Sequence, residues 1–141
     1  MNNERCMSKA FSCVLDVLWG DLDPYNHVGN ITHLRLIEEC RARWMESVPS
    51  DWQGADQGPV VANINLDYRR PIFWPAQVSV SIEPVRVGRS SLVLGHTIEA
   101  VEPANLDQPI YAEGQTTLVW IDKASGQSVP LPQAMRDLAA G

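Results

Sequence analysis

Only one segment of this chain carries helical spacing, and almost everything after it alternates with a period of two. Ile31, Leu34, Ile37, Arg41, Trp44 and Val48 recur at steps of three and four. That spacing predicts one amphipathic helix of about four or five turns, starting near Asn30. Asn30 or Asn26 could cap its start, and Pro49 ends it. Further on, Ile64, Leu66 and Tyr68 alternate with Asn63, Asn65, Asp67 and Arg69. Val78, Val80 and Ile82 alternate with Gln77, Ser79, Ser81 and Glu83. Successive strand side chains point to opposite faces, so both runs predict half-buried strands with one wet face. The runs 90–102 and 110–121 are longer and more evenly apolar, which predicts central strands. Ahead of the helix, residues 10–19 read as a strand with Phe11, Cys13, Leu15, Val17 and Trp19 on one face. Pro71, Pro75, Pro84, Pro103 and Pro109 are expected in the gaps, where a missing N–H does least harm. Asp122–Gly126 reads as a turn, and residues 130–141 as a short helix or a loose tail. One early helix and about five antiparallel strands joined by short connections make an α+β domain, with the sheet wrapped around the helix.

The 141 residues suit a single domain over 1–141, with 1–9 and 133–141 expected at its periphery. Hydrophobic residues form 45% of the chain, enough for a core without staples. The formal charge of -6 speaks against nucleic acid, which wants Lys and Arg gathered on one face. The close pairs Arg41/Arg43 and Arg69/Arg70 are diluted by acidic and apolar neighbours. Cys6, Cys13 and Cys40 match no zinc or disulfide spacing, which points to a reducing compartment. No apolar stretch has signal-peptide length or the roughly 18 residues of a membrane helix, so the expected place is the cytoplasm, without a membrane partner.

The chemistry concentrates in Gly20-Asp-Leu-Asp-Pro-Tyr-Asn-His-Val-Gly-Asn30, between the first strand and the helix. Asp21 and Asp23 sit two apart, and His27 follows four residues after Asp23. The helix start offers unpaired N–H groups and the positive end of a dipole, which can hold a developing oxyanion. A carboxylate beside it could attack an activated carbonyl or deprotonate water, as acyl transfer to water requires. The plainer alternative is that these aspartates and asparagines only cap the helix, and that His27 is a hydrogen-bonded surface residue. Asp21, Asp23 and His27 could meet one metal ion, but no second histidine lies at a ligand spacing, and no cofactor is expected. His33 in the helix and His96 in a strand read as structural.

The loop, followed by Leu34 and by Glu38, Glu39, Cys40 and Arg41, resembles the signature of the 4-hydroxybenzoyl-CoA thioesterase family. It is also similar to the corresponding loop of plant acyl-ACP thioesterases. Val60, Val61, Tyr68 and Pro71 resemble the family's second strand, and Gly88-Arg-Ser-Ser91 its G-x-S-S turn. Ala112-Glu-Gly114 and Pro130-Leu-Pro132 resemble its last strand and tail, so the likeness covers about residues 10–133. The resemblance implies a hotdog fold and an acyl-CoA thioesterase that works as a homodimer or homotetramer with sites at the subunit interface. It implies Asp23 as nucleophile or general base, the Asn30 N–H as oxyanion donor and His27 as the residue orienting them. Arg89, Ser90 and Ser91 fall where some members contact coenzyme A.

Three positions depart from the family pattern: Asn26 replaces a glycine, Gly29 an asparagine and His33 a tyrosine. A glycine at 26 would serve a positive φ, which Asn tolerates better than most residues, and Gly29 could restore the lost freedom. A non-catalytic hotdog protein that binds acyl groups or acyl carriers is the alternative. A hotdog dehydratase is disfavoured, because no H-F-P-like loop with a paired helix glutamate occurs. Trp44, Trp52, Phe73 and Trp74 are candidates to line an acyl pocket.

Overall fold

A computed structural model describes residues 11–47, 56–102 and 107–141. Strand β1 (Phe11–Asp16) leads through a 3-10 turn at Trp19–Asp21 to helix α1 (Asn30–Glu46). Strands β2 (Gln57–Tyr68), β3 (Gln77–Val87), β4 (Ser91–Ala100) and β5 (Ile110–Asp122) follow, then helix α2 (Gln133–Ala140). All neighbouring strands are antiparallel, in the order β1-β3-β4-β5-β2. Helix α1 lies on the inner face of the sheet against β1, β3 and β4. This is the hotdog arrangement, and β4 and β5 are flanked on both sides as their even apolarity predicts.

The period-two pattern works as read in β3, where Val78, Val80 and Ile82 are fully buried. Leu92, Leu94 and Ile98 of β4 and Leu118 and Trp120 of β5 continue that layer under Leu36, Ile37, Cys40 and Trp44 of α1. Each fully buried aliphatic side chain contributes about 1.5–3 kcal/mol. The Asp122–Gly126 turn forms as predicted. Asp122 accepts from Ser125 N–H at 2.9 Å, and Gly126 takes a φ of 76°.

Several expectations need correction. β1 stops at Asp16, and Trp19 lies in the 3-10 turn with 72% of its surface exposed. The buried face of α1 is His33, Leu36, Ile37, Cys40, Arg41, Trp44 and Met45. Ile31 and Leu34 instead face outward, Ile31 at 83% exposure, because the sheet covers only one side of the helix. They meet Val61 and Ile64 of β2 along a groove of about 270 Å³. β2 is an edge strand paired only with β5, and Val60, Val61 and Ile64 stay exposed rather than half-buried. Pro84 sits inside β3, not in a gap, at a register shift where the ladder is already interrupted. The tail is not peripheral: Met135 and Ala139 of α2 are fully buried in the core. Cys6, Val48, Pro49, Trp52, Pro103 and the first ten residues lie outside the described residues.

Candidate active site

The loop between β1 and α1 is closed by a bridge between Leu22 and Val28. Inside it, Asp23 N–H donates to His27 O at 2.9 Å, and Asn26 N–H donates to Asp23 O at 3.1 Å. The Asp23 carboxylate occupies the loop interior: Oδ1 accepts from Tyr25 N–H at 2.8 Å and from His27 N–H at 3.4 Å. Its Oδ2 lies 3.5 Å from His27 Nδ1. The reversal needs a left-handed residue, and Asn26 supplies it with a φ of 68°. Gly29 has an ordinary φ of -72°, so Asn26 alone does the work of the missing glycine.

The two carboxylates divide their roles. Asp21 Oδ2 accepts from Leu18 N–H at 2.7 Å and from Arg35 Nη2 at 3.0 Å. It ties the 3-10 turn to the helix, and its side chain is only 10% exposed. Asp23 is 27% exposed, and its Oδ2 faces His27 rather than a cation. Asp23 is therefore the more exposed of the two carboxylates and the one that carries no guanidinium. Neither residue is a helix N-cap, and neither Asn26 nor Asn30 fills that role: Gly29 holds the position without a side-chain hydrogen bond.

Helix α1 begins beside this carboxylate. A Cβ on Gly29 would lie 3.7 Å from Asp23 Cβ. Gly29 N–H donates to Asp21 O at 3.1 Å, while Asn30 N–H has no acceptor among the described residues. His33, 3% exposed, bonds through Nδ1 to Gly29 O at 3.0 Å. Burial pushes its pKa below the usual histidine range, against the smaller raising effect of the Gly29 carbonyl. Tyr68 stands edge-on to His33 with centroids 4.9 Å apart, and its hydroxyl donates to Asn30 O at 3.4 Å. Burial raises the Tyr68 pKa. An open pocket of about 300 Å³ is lined by His27, Asn30, His33, Tyr68 and Arg70 among others. Asp23 does not line it directly and meets it through His27. Tyr25 stacks on His27 at 6.3 Å, and Phe73 meets it edge-on at 6.0 Å.

The structure thus brings Asp23, His27 and Asn30 together. It does not bring Arg89, Ser90 and Ser91 to them within one chain. Those residues form the turn between β3 and β4, where Gly88 N–H donates to Ser91 O at 2.8 Å. Arg136 of α2 holds that turn through Gly88 O and Arg89 O. The Asp23 loop is held at the other end of β3, by Val28 N–H to Ile72 O and Val17 N–H to Ala76 O. Eleven residues of strand lie between, on the order of 30 Å at ~3.3 Å per residue. Of the aromatic candidates, Trp44 is core, while Phe73 and Trp74 are exposed. The contacts of His33 and Tyr68 at the helix start escaped the sequence reading. The separation of 29 from 33, one helical turn, was the available signal.

A carboxylate beside an unpaired helix N-terminus is an arrangement for attack on a carbonyl or on water. Comparison with known proteins shows the family. The model of the thioesterase-like superfamily matches residues 17–138. The chain belongs to this superfamily. It is similar to the long-chain acyl-CoA thioesterase FadM of Escherichia coli, with 30% identity over 118 residues, 82% of this chain and 86% of FadM. A solved structure from Pseudomonas aeruginosa is 37% identical and has a TM-score of 0.81, covering 92% of this chain and 98% of that one. A thioesterase of Thermus thermophilus, solved with coenzyme A and zinc, is 34% identical with a TM-score of 0.75, covering 91% and 90%. The superfamily match begins one residue after β1 ends and includes the whole loop from Asp21 to Asn30, helix α1 and strands β2 to β5.

Proposed function

We propose that this protein is an acyl-CoA thioesterase in which Asp23 acts as nucleophile or general base. Family membership and the likeness to FadM support acyl-CoA thioester hydrolysis as the reaction class. The observation that carries the assignment to Asp23 is the division of roles described above. Asp21 is largely buried and paired with Arg35, while the more exposed Asp23 has His27 as its Oδ2 neighbour among the described residues and lies against Gly29 at the start of α1.

The thioester carbonyl oxygen would rest against the Asn30 N–H at the positive end of α1. Asp23 then either attacks the carbonyl carbon or takes a proton from a water that does. In both cases the C–S bond breaks, the thiolate leaves and gains a proton, and water supplies the oxygen of the free acid. His27 Nδ1, 3.5 Å from Oδ2, is the group placed to orient that oxygen. No cofactor enters these steps.

A homodimer, alone or doubled into a tetramer, fits the exposed edge of β2 and the apolar groove beside it. A second copy is also what could bring Arg89, Ser90 and Ser91 toward coenzyme A bound at this pocket. The two described cysteines, Cys13 and Cys40, are free, in keeping with a cytoplasmic place. No helix among the described residues is long and apolar enough to cross a membrane.

The test is thiol release from butyryl-, palmitoyl- and benzoyl-CoA by the full chain, with Asp23→Asn as the blank. Turnover by the parent and loss in the variant are expected. Equal turnover in Asp23→Asn sinks the residue assignment. Binding of these thioesters without turnover by the parent would mark a non-catalytic acyl-CoA binder instead.

A further inference from the structure

We propose that His33 is a positioning residue for the oxyanion-binding peptide, a role that rests on the reading of the Asn30 N–H given above. The Gly29 carbonyl and the Asn30 N–H are the two ends of one peptide unit. Its plane is rigid, so whatever fixes the carbonyl also aims the N–H. Two donors meet that carbonyl: Thr32 N–H at 3.1 Å and His33 Nδ1 at 3.0 Å. A carbonyl oxygen only accepts, so Nδ1 carries the hydrogen, and the neutral ring leaves Nε2 bare. The depressed pKa of this buried ring agrees with a neutral histidine at physiological pH.

The neighbouring bonds complete the clamp. Gly29 N–H is held by Asp21 O at 3.1 Å. The next carbonyl, Asn30 O, receives the Tyr68 hydroxyl at 3.4 Å, and Tyr68 packs edge-on against the His33 ring. The Asn30 N–H is left as the group without an acceptor among the described residues, at the wall of the pocket. Hydrogen bonds in series polarise one another. Donors on the Gly29 carbonyl make the Asn30 N–H a stronger donor to negative charge. That gain is largest when the thioester oxygen becomes an oxyanion, so it enters the rate of reaction and not the binding of substrate.

The experiment compares His33→Leu, which removes the donor, with His33→Asn, whose Nδ2 stands the same number of bonds from the backbone as Nδ1. Each is assayed on whichever of butyryl-, palmitoyl- or benzoyl-CoA the parent cleaves fastest. His33→Leu should lower kcat about tenfold, a fraction of the ~100–1,000-fold cost of deleting an oxyanion donor outright. KM should stay near the parent value, and His33→Asn should recover most of the rate. A backbone amide spectrum of the labelled protein gives a second readout: the Asn30 N–H resonance should move in His33→Leu and return in His33→Asn. An unmoved Asn30 resonance in His33→Leu overturns the proposal, whatever the activity. So does unchanged kcat in His33→Leu while Asp23→Asn is inactive, an outcome that leaves the function itself standing. A parent that cleaves none of the thioesters removes both readings together.

Discussion

Asp23 Oδ2 and His27 Nδ1 face each other at 3.5 Å across a loop that the same two residues close, through Asp23 N–H to His27 O. Replacing Asp23 by Asn keeps Oδ1 as acceptor for Tyr25 N–H and removes the charge from Oδ2. Thioester cleavage should fall about 100- to 10,000-fold, the range for a lost acid–base group. The melting temperature should stay within a few degrees. Steady-state thiol release and a thermal melt on one preparation check both.

Asp21 should show the opposite profile. Asp21→Ala removes the acceptor of the Leu18 N–H and one of two carboxylate partners of Arg35, which keeps Glu39 at 3.6 Å. A loss of about 1–2 kcal/mol is expected, as for a deleted cap. Arg35→Ala, at an exposed cation, should cost less than about 1 kcal/mol. Urea unfolding reads both, and Asp21→Ala should keep measurable hydrolysis where Asp23→Asn does not.

Gly114 lies where β5 meets β2. A Cβ there would collide with the main-chain carbonyl oxygen of Asn65. Backbone cannot yield as a flexible side chain does, so Gly114→Ala must push β2 off β5. A cost of about 3 kcal/mol, the upper part of the overpacking range, is expected in urea unfolding.

Two buried histidines make stability depend on pH. Burial lowers the pKa of His33 and of His96, and the nearby Arg41 charge lowers His96 further. Both are neutral when folded, whereas the unfolded chain binds protons from about pH 6.5 downward. Protons therefore favour the unfolded chain. Stability should be level above about pH 7 and decline as pH falls from ~6.5 through the lower folded values. His96→Leu should flatten that decline in thermal melts between pH 5 and pH 8 (a range chosen about the ~6.5 reference value). An unchanged slope would remove His96 as a source.

Cys40 should be chemically silent. Its thiol donates to Val80 O at 3.3 Å, and burial first, then the adjacent Cys13, push its pKa up to about 12. A thiol reagent at mild alkaline pH should miss Cys40 in the folded protein and reach it in urea. Peptide mapping of the labelled chain distinguishes it from Cys13.

The fold was legible because the period changes once and strongly. Helical spacing over α1 and alternation in β3 and β4 each reflect one covered face, which a sequence records directly. The errors came from surfaces that this chain does not cover by itself. Ile31 and Leu34 obey the helical period and still face outward, and β2 alternates without an inner layer to justify it. Trp19 extends the β1 pattern past the point where the 3-10 turn ends the strand. In the site, the loop and its Asp23 could be read from residue type and order. The split between Asp21 and Asp23 could not, because it depends on Arg35 reaching back fourteen residues along the chain to one carboxylate and not the other. His33 read as structural because its partner is a main-chain carbonyl, and carbonyls leave no trace in residue type.

The open edge of β2 bears on how the protein can be handled. A free strand edge is a row of waiting N–H and C=O groups, and here it runs beside exposed Val60, Val61 and Ile64. Yield of usable protein should thus follow how fast newly made chains find an orderly match for that edge. Fast synthesis at high concentration would favour tangled precipitates, and slow synthesis would favour clear solutions. A lysine set into the outward stripe at Val61 would trade that hazard for a chain that stays dispersed.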